Sequence, residues 1–143
     1  LNTAGAAPRR LLRVVAAVVA AGLLVVLLLP DSDVPSFTVR LISDALDGAG
    51  APDWLSEPTV WEKALNVVLF VPVGAVVALL RPGWPVLGVA VAGFAASLSL
   101  EGVQAFLLAG RDGSLADVAT NTAGALIGAV AGRAAGSARH RAG

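Results

Sequence analysis

The chain has no cysteine and no methionine, and its single histidine, His140, sits in an arginine-rich tail. Without cysteine there is no disulfide framework, no thiolate metal site and no cysteine nucleophile. One histidine in a basic tail argues against a histidine-built zinc site and against a serine–histidine triad. With no methionine even at position 1, the expectation is a non-standard start codon rendered as Leu1, or a front end trimmed away. Charge is also scarce: 14% of the 143 residues are Asp, Glu, Lys or Arg, against 57% apolar, and the mean hydropathy is +0.81. That is a poor fit to a water-soluble globular composition and reads as a membrane protein. The formal net charge is zero, and nothing in the composition points to nucleic acid.

The few charges are unevenly placed. Arg9, Arg10 and Arg13 lead the chain, residues 30–63 hold seven acids against Arg40 and Lys63, and Arg133, Arg139 and Arg141 close it. Between these lie apolar runs. Residues 11–29 are apolar apart from Arg13, and at about 1.5 Å per residue they reach ~28 Å, close to a bilayer core of ~30 Å. A cleaved signal peptide is the rival reading, but the run is long for a signal core and the LLLPD sequence after it offers no small-residue cleavage site. Further runs follow at 64–80, 86–108 and 115–132, the last started by Ser114 with Asp117 three positions on, a capping-box spacing. The expectation is an all-α, polytopic bundle of four transmembrane helices forming one domain over residues 1–143. Residues 30–63, with four prolines and many acids, are expected to form one long extracytoplasmic loop carrying at most a short amphipathic turn around residues 37–46. Arginine excess at both tails, and Arg81 in the short turn between the second and third spans, places both termini in the cytoplasm.

Ionisable residues inside apolar spans are costly and call for a partner or a wet cavity. Ser97, Glu101 and Gln104 share one face of the third span, together with Gly93, and Asp117, Asn121, Gly124 and Gly128 share one face of the fourth. Gly124, Gly128 and Gly132 form a doubled GxxxG, which reads as helix packing, as do Pro72 and Gly74 in the second span. Asn66, Glu101, Gln104, Arg111, Asp112, Asp117 and Asn121 all fall towards the outer side on this topology, and Glu101 is expected to pair with Arg111. A divalent ion on Glu101, Asp112 and Asp117 is opposed by Arg111, so no metal and no cofactor is assigned.

These positions carry a resemblance. Asn66, Pro72 and Gly74 in the run NVVLFVPVG, then Glu101 and Gln104 in EGVQ, then Arg111, then Asp117, Asn121, Gly124 and Gly128 in DVATNTAGALIG resemble the VanZ-like family of small bacterial membrane proteins. The resemblance is strongest over residues 60–132. It implies a multi-pass protein of the bacterial cytoplasmic membrane and cell envelope, since the family takes its name from an accessory component of teicoplanin resistance. Carried over by position, its polar motif residues are Asn66, Glu101, Gln104, Arg111, Asp117 and Asn121.

Three readings follow for this cluster. The first is an accessory or binding module at the outer face of the membrane. There Arg111, Gln104, Asn121 and the start of the fourth span would take the head group of an envelope lipid, a lipid-linked precursor or a lipoglycopeptide. The second is an intramembrane enzyme using Glu101 and Asp117 as a carboxylate pair on a lipid-linked substrate, although no activated nucleophile accompanies them. The third is a polar network that only fixes helix register.

Overall fold

In the computed structural model the described residues are 33–107 and 114–141, together with Val14, Val15, residues 17–19 and Gly22; of Gln104 only the backbone is described. The six described residues of the expected first span are helical, with Val14, Val15 and Val18 exposed. The rest of that span, Arg111, Asp112 and the remainder of the 108–113 connection lie outside the described residues.

The acidic segment differs from expectation. Instead of a loop with one short turn, it holds a sixteen-residue helix α1 (Asp33–Gly48) and a single turn α2 (Asp53–Ser56). The reason lies in spacing that composition hides. Ser36, Val39, Ser43 and Leu46 recur at steps of three and four and form the less exposed stripe of α1, with Val39 and Ser43 buried. The helix then stops at a glycine-dependent cap: Gly50 adopts φ +74°, and the Gly50 and Ala51 N–H groups bond back to the Asp47 and Leu46 carbonyls at 2.9 and 3.0 Å. Such a left-handed C-terminal residue is costly for anything but glycine.

The long helix α3 (Pro58–Leu80) begins six residues before the expected 64–80 span, because Pro58 takes the first helical positions, where its missing N–H costs nothing. The Trp61 indole N–H bonds the Leu55 carbonyl at 2.7 Å and ties α3 to α2. Pro72 lies inside α3 without ending it, although the Val68 carbonyl loses its helical donor there. The Arg81–Pro85 turn follows, with the Arg81 guanidinium 5.7 Å from the centre of the Trp84 ring. Helix α4 (Val86–Leu107) matches its expected span closely, and α5 (Leu115–Arg141) starts where Ser114 predicts but runs nine residues past 132.

Helices α3, α4 and α5 are each long and apolar enough to cross a membrane. Their side chains fit that solvent. Val68, Leu87, Val91, Phe106, Ile127 and Val130 are all more than half exposed, an arrangement that water would penalise and lipid does not. Apart from Phe70, what these helices bury is small or β-branched: Ala78, Val89 and Ala129 form one cluster, with Val77 and Val86 against it. Lipid tails supply no hydrophobic drive for helices to associate, so close backbone approach between small residues takes its place.

That approach sets the directions of the helices. A Cβ built on Gly124, Gly128 or Gly132 would run into the carbonyl of Val67, Val71 or Ala75 respectively, so α3 and α5 advance together in steps of four and are parallel. On α4 the pairs run the other way: Gly93 faces Ala125 and Ser97 faces Asn121, so α4 is antiparallel to α5. Three helices alternating in direction are what successive membrane crossings require.

Candidate functional site

The parallel register of α3 and α5, with α4 reversed between them in sequence, brings the start of α5, the end of α4 and the first third of α3 to one end of the bundle. The polar residues of all three helices meet there. The Asn66 side-chain amide donates to the Asp117 carboxylate at 2.8 Å, bridging residues 51 apart in sequence. The Asn121 amide donates to the Ser97 hydroxyl at 2.8 Å, and both residues are buried, Ser97 completely. The Glu101 carboxylate accepts the backbone N–H of Ser114 at 2.8 Å.

Local chemistry explains the last contact. Ser114 precedes the first residue of α5, and its hydroxyl accepts the Asp117 N–H at 3.3 Å, half of a capping box. In the reciprocal half, the third helical residue would return its side chain to the N–H of the capping residue. Asp117 turns to Asn66 instead, and Glu101 from α4 takes that N–H. The N-terminus of α5 is thereby completed by a neighbouring helix. Negative charge beside it is favourable, since the first turn of a helix carries unpaired donors and the positive end of its dipole.

Among the residues singled out from the sequence, the structure brings Asn66, Glu101, Asp117 and Asn121 to this end of the bundle. The Gln104 backbone lies in the last turn of α4 and Arg111 falls outside the described residues, so the expected Glu101–Arg111 pair cannot be placed. Two partners carry more weight than the sequence alone assigned them. Ser97 shares the helix face of Glu101 at a spacing of four and is the hydroxyl that receives Asn121; the signal was that face. Ser114 meets Glu101 as well as capping α5, which no local pattern reveals.

The bonds are mutual, and one atom is left over. Asn121 Oδ1 is buried with no hydrogen-bond partner among the described residues, and an unpaired amide oxygen in such a place is costly unless something donates to it. Among the described residues no group of three or more His, Cys, Asp and Glu is placed to hold a metal ion. The described groups are two carboxylates, two amides and two hydroxyls on two successive turns at one end of an apolar bundle.

No curated protein matches the chain, and no solved structure does. A family model does, over residues 14–135, which takes in the helices α1 to α4, nearly all the membrane-length part of α5 and every polar residue described above. The chain belongs to the VanZ/LLP1 family.

Proposed function

We propose that this VanZ-family membrane protein is an accessory or binding protein of the bacterial cell envelope. Its cluster at Asn66, Glu101, Asp117 and Asn121, with Gln104 and Arg111, meets the polar part of a lipid-bearing ligand at the outer face of the cytoplasmic membrane, and both termini are cytoplasmic. The observation that supports this reading is the convergence of polar side chains from three apolar helices at one end of the bundle, with the Asn121 Oδ1 acceptor unpartnered among the described residues. Polar groups placed at such cost inside a membrane favour a functional role. Arg111 supplies a planar fork suited to phosphate or carboxylate, and the ligand class is an envelope lipid, a lipid-linked precursor or a lipoglycopeptide.

The test is susceptibility. Expression should lower sensitivity to an acylated glycopeptide more than to an unacylated one, and Arg111→Ala should abolish the difference while membrane levels, checked by blot, stay unchanged. Equal susceptibility with and without the wild-type protein rejects a role in resistance. Full retention of an established effect in Arg111→Ala moves the site elsewhere.

A register-fixing network is the second reading, and one observation favours it: Asn66 with Asp117, Glu101 with the Ser114 N–H, and Asn121 with Ser97 largely satisfy one another. On that reading Ser114→Ala reduces any effect on susceptibility as much as Arg111→Ala does, because both act by loosening the start of α5.

A further inference from the structure

At the opposite end of the bundle a charged group is buried without a partner among the described residues. Arg133 lies in α5 directly after Gly132, where a Cβ would come within 2.6 Å of the Ala75 carbonyl oxygen. This close approach carries the guanidinium down beside the last turn of α3. Its Nε and Nη2 atoms are buried there and have no hydrogen-bond partner among the described residues. A buried guanidinium nitrogen without an acceptor is among the most costly arrangements a fold can hold.

The parts of α3, α4 and α5 at this end of the bundle contain no countercharge. From Ala64 to Leu100, and again from Val118 to the last residue, there is no Asp or Glu. Asp117, sixteen residues earlier on the same helix, is about 24 Å away along its axis. Beside Arg133 is an open crevice of about 510 Å³, lined also by Ala78, Leu79, Pro82, Gly136 and Ser137. Gly132 and Gly136 keep one wall low, and Ser137 adds a hydroxyl at the rim. Pro82, which lines the crevice, belongs to the same turn as the Arg81–Trp84 pair, and arginine with tryptophan at the end of apolar helices marks the level of lipid head groups.

We propose that this crevice is a binding site for a phosphate-bearing anion, held by the Arg133 fork and supplied by an acidic phospholipid of the surrounding bilayer. A guanidinium offers parallel donors that match two oxygens of a phosphate, and basic pockets between membrane helices at this depth are suited to anionic head groups. Ala78 and Leu79, in the last turn of α3, line the same crevice, so the negative end of that helix dipole favours the guanidinium there while its donors stay available to an anion. The proposal stands apart from the function of the cluster at the far end of the bundle.

Native mass spectrometry of the purified full-length protein in mild detergent tests it, with phosphatidylglycerol, phosphatidylcholine or inorganic phosphate added. Wild type should retain phosphatidylglycerol about tenfold better than phosphatidylcholine, whose choline sets a cation beside the arginine, and Arg133→Gln should reduce retention to the phosphatidylcholine level. Arg133→Lys, keeping the charge but not the fork, should fall between them. Arg81→Gln, outside the crevice, should stay within about twofold of wild type. Displacement of the lipid by millimolar inorganic phosphate would support the anion site and assign it to free phosphate; no displacement would assign it to the lipid. Equal retention of the two lipids by wild type overturns the proposal, a measurement that stands even if Arg133→Gln does not fold. So does undiminished phosphatidylglycerol on a folded Arg133→Gln.

Discussion

The Glu101 carboxylate receives the Ser114 N–H at 2.8 Å, so the helix cap of α5 is completed by α4. The cap is therefore a tertiary contact as much as a local one. It joins the helix that ends at the 108–113 connection to the helix that begins after it, and Asp117, freed from capping, reaches α3.

Removing the cross-helix half should cost more than removing the local half. Glu101→Ala leaves the Ser114 N–H without its acceptor and separates α4 from α5, at a cost of about 1–3 kcal/mol. Ser114→Ala should cost only about 0.5–1 kcal/mol, because the Asp117 N–H keeps the Ser114 carbonyl as an acceptor at 3.0 Å. Glu101→Gln retains an acceptor oxygen and should stay near wild type. Thermal midpoints of the purified variants in one detergent rank the three, and a larger loss for Ser114→Ala than for Glu101→Ala would make the cap local after all.

The Asn66–Asp117 bond should appear as coupling in a double-mutant cycle. Interhelical hydrogen bonds inside membrane proteins contribute on average about 0.6 kcal/mol and up to about 1.7. The stabilities of Asn66→Ala, Asp117→Ala and the double variant, measured by reversible unfolding in mixed micelles, should give a coupling in that range. Additive losses would mean that the two side chains do not hold α3 to α5.

Much of this architecture was legible because long apolar runs leave little choice of structure: α4 lies where the stretch between Arg81 and Arg111, with Glu101 as its one ionisable residue, puts it, and Ser114 marks the start of α5. The helix in the acidic segment is hard to read because its prolines and carboxylates outweigh a narrow stripe in α1 of which only Val39 and Ser43 are buried. At the site, helix faces were enough to group Glu101 with Ser97 and Asp117 with Asn121. Which residue bonds which depends on register between helices, and no single-helix pattern contains it. Arg133 was hidden for a related reason: it follows the expected end of the fourth span and reads as part of a basic tail, whereas the glycine stripe carries the helix, and the arginine with it, onto α3.

The glycine seam should be intolerant of even one methyl group. At Gly128 an added Cβ meets the Val71 carbonyl and lies 2.8 Å from the Ala75 nitrogen, both backbone atoms with no room to yield. Gly128→Ala should therefore separate α3 from α5 and lower the yield of monodisperse protein, read by size-exclusion chromatography of a fluorescent fusion. Gly102→Ala, where nothing lies within 4 Å of the new Cβ, should behave as wild type. Equal tolerance at both positions would mean that the close approach at Gly128 does not exist in the membrane.

The number and direction of crossings can be tested together, because α3 and α5 run parallel with α4 reversed, while the earlier 11–29 run decides whether the total is even. Arg81, Arg133, Arg139 and Arg141 lie at or beyond one end of the three helices, and the acids of α1 and α2 precede the other. Retention of arginine on the cytoplasmic side then puts Ala138 inside and Ala49 and Gly113 outside. If residues 11–29 also cross, Thr3 is inside with Ala138; if they do not, it is outside. The chain has no cysteine of its own, so single cysteines at Thr3, Ala49, Gly113 and Ala138 report without background. Ala49 is chosen because it is exposed, whereas Ser43 on the same helix is buried. With a membrane-impermeant maleimide on intact cells, Ala49→Cys and Gly113→Cys should label, while Thr3→Cys and Ala138→Cys should label only after permeabilisation. Labelling of Thr3→Cys in intact cells, with Ala138→Cys still protected, would reduce the crossings to three. Labelling of Ala138→Cys with protection of Gly113→Cys would invert the protein and place the Glu101–Asp117 cluster at the cytoplasmic face, where no extracellular glycopeptide could meet it.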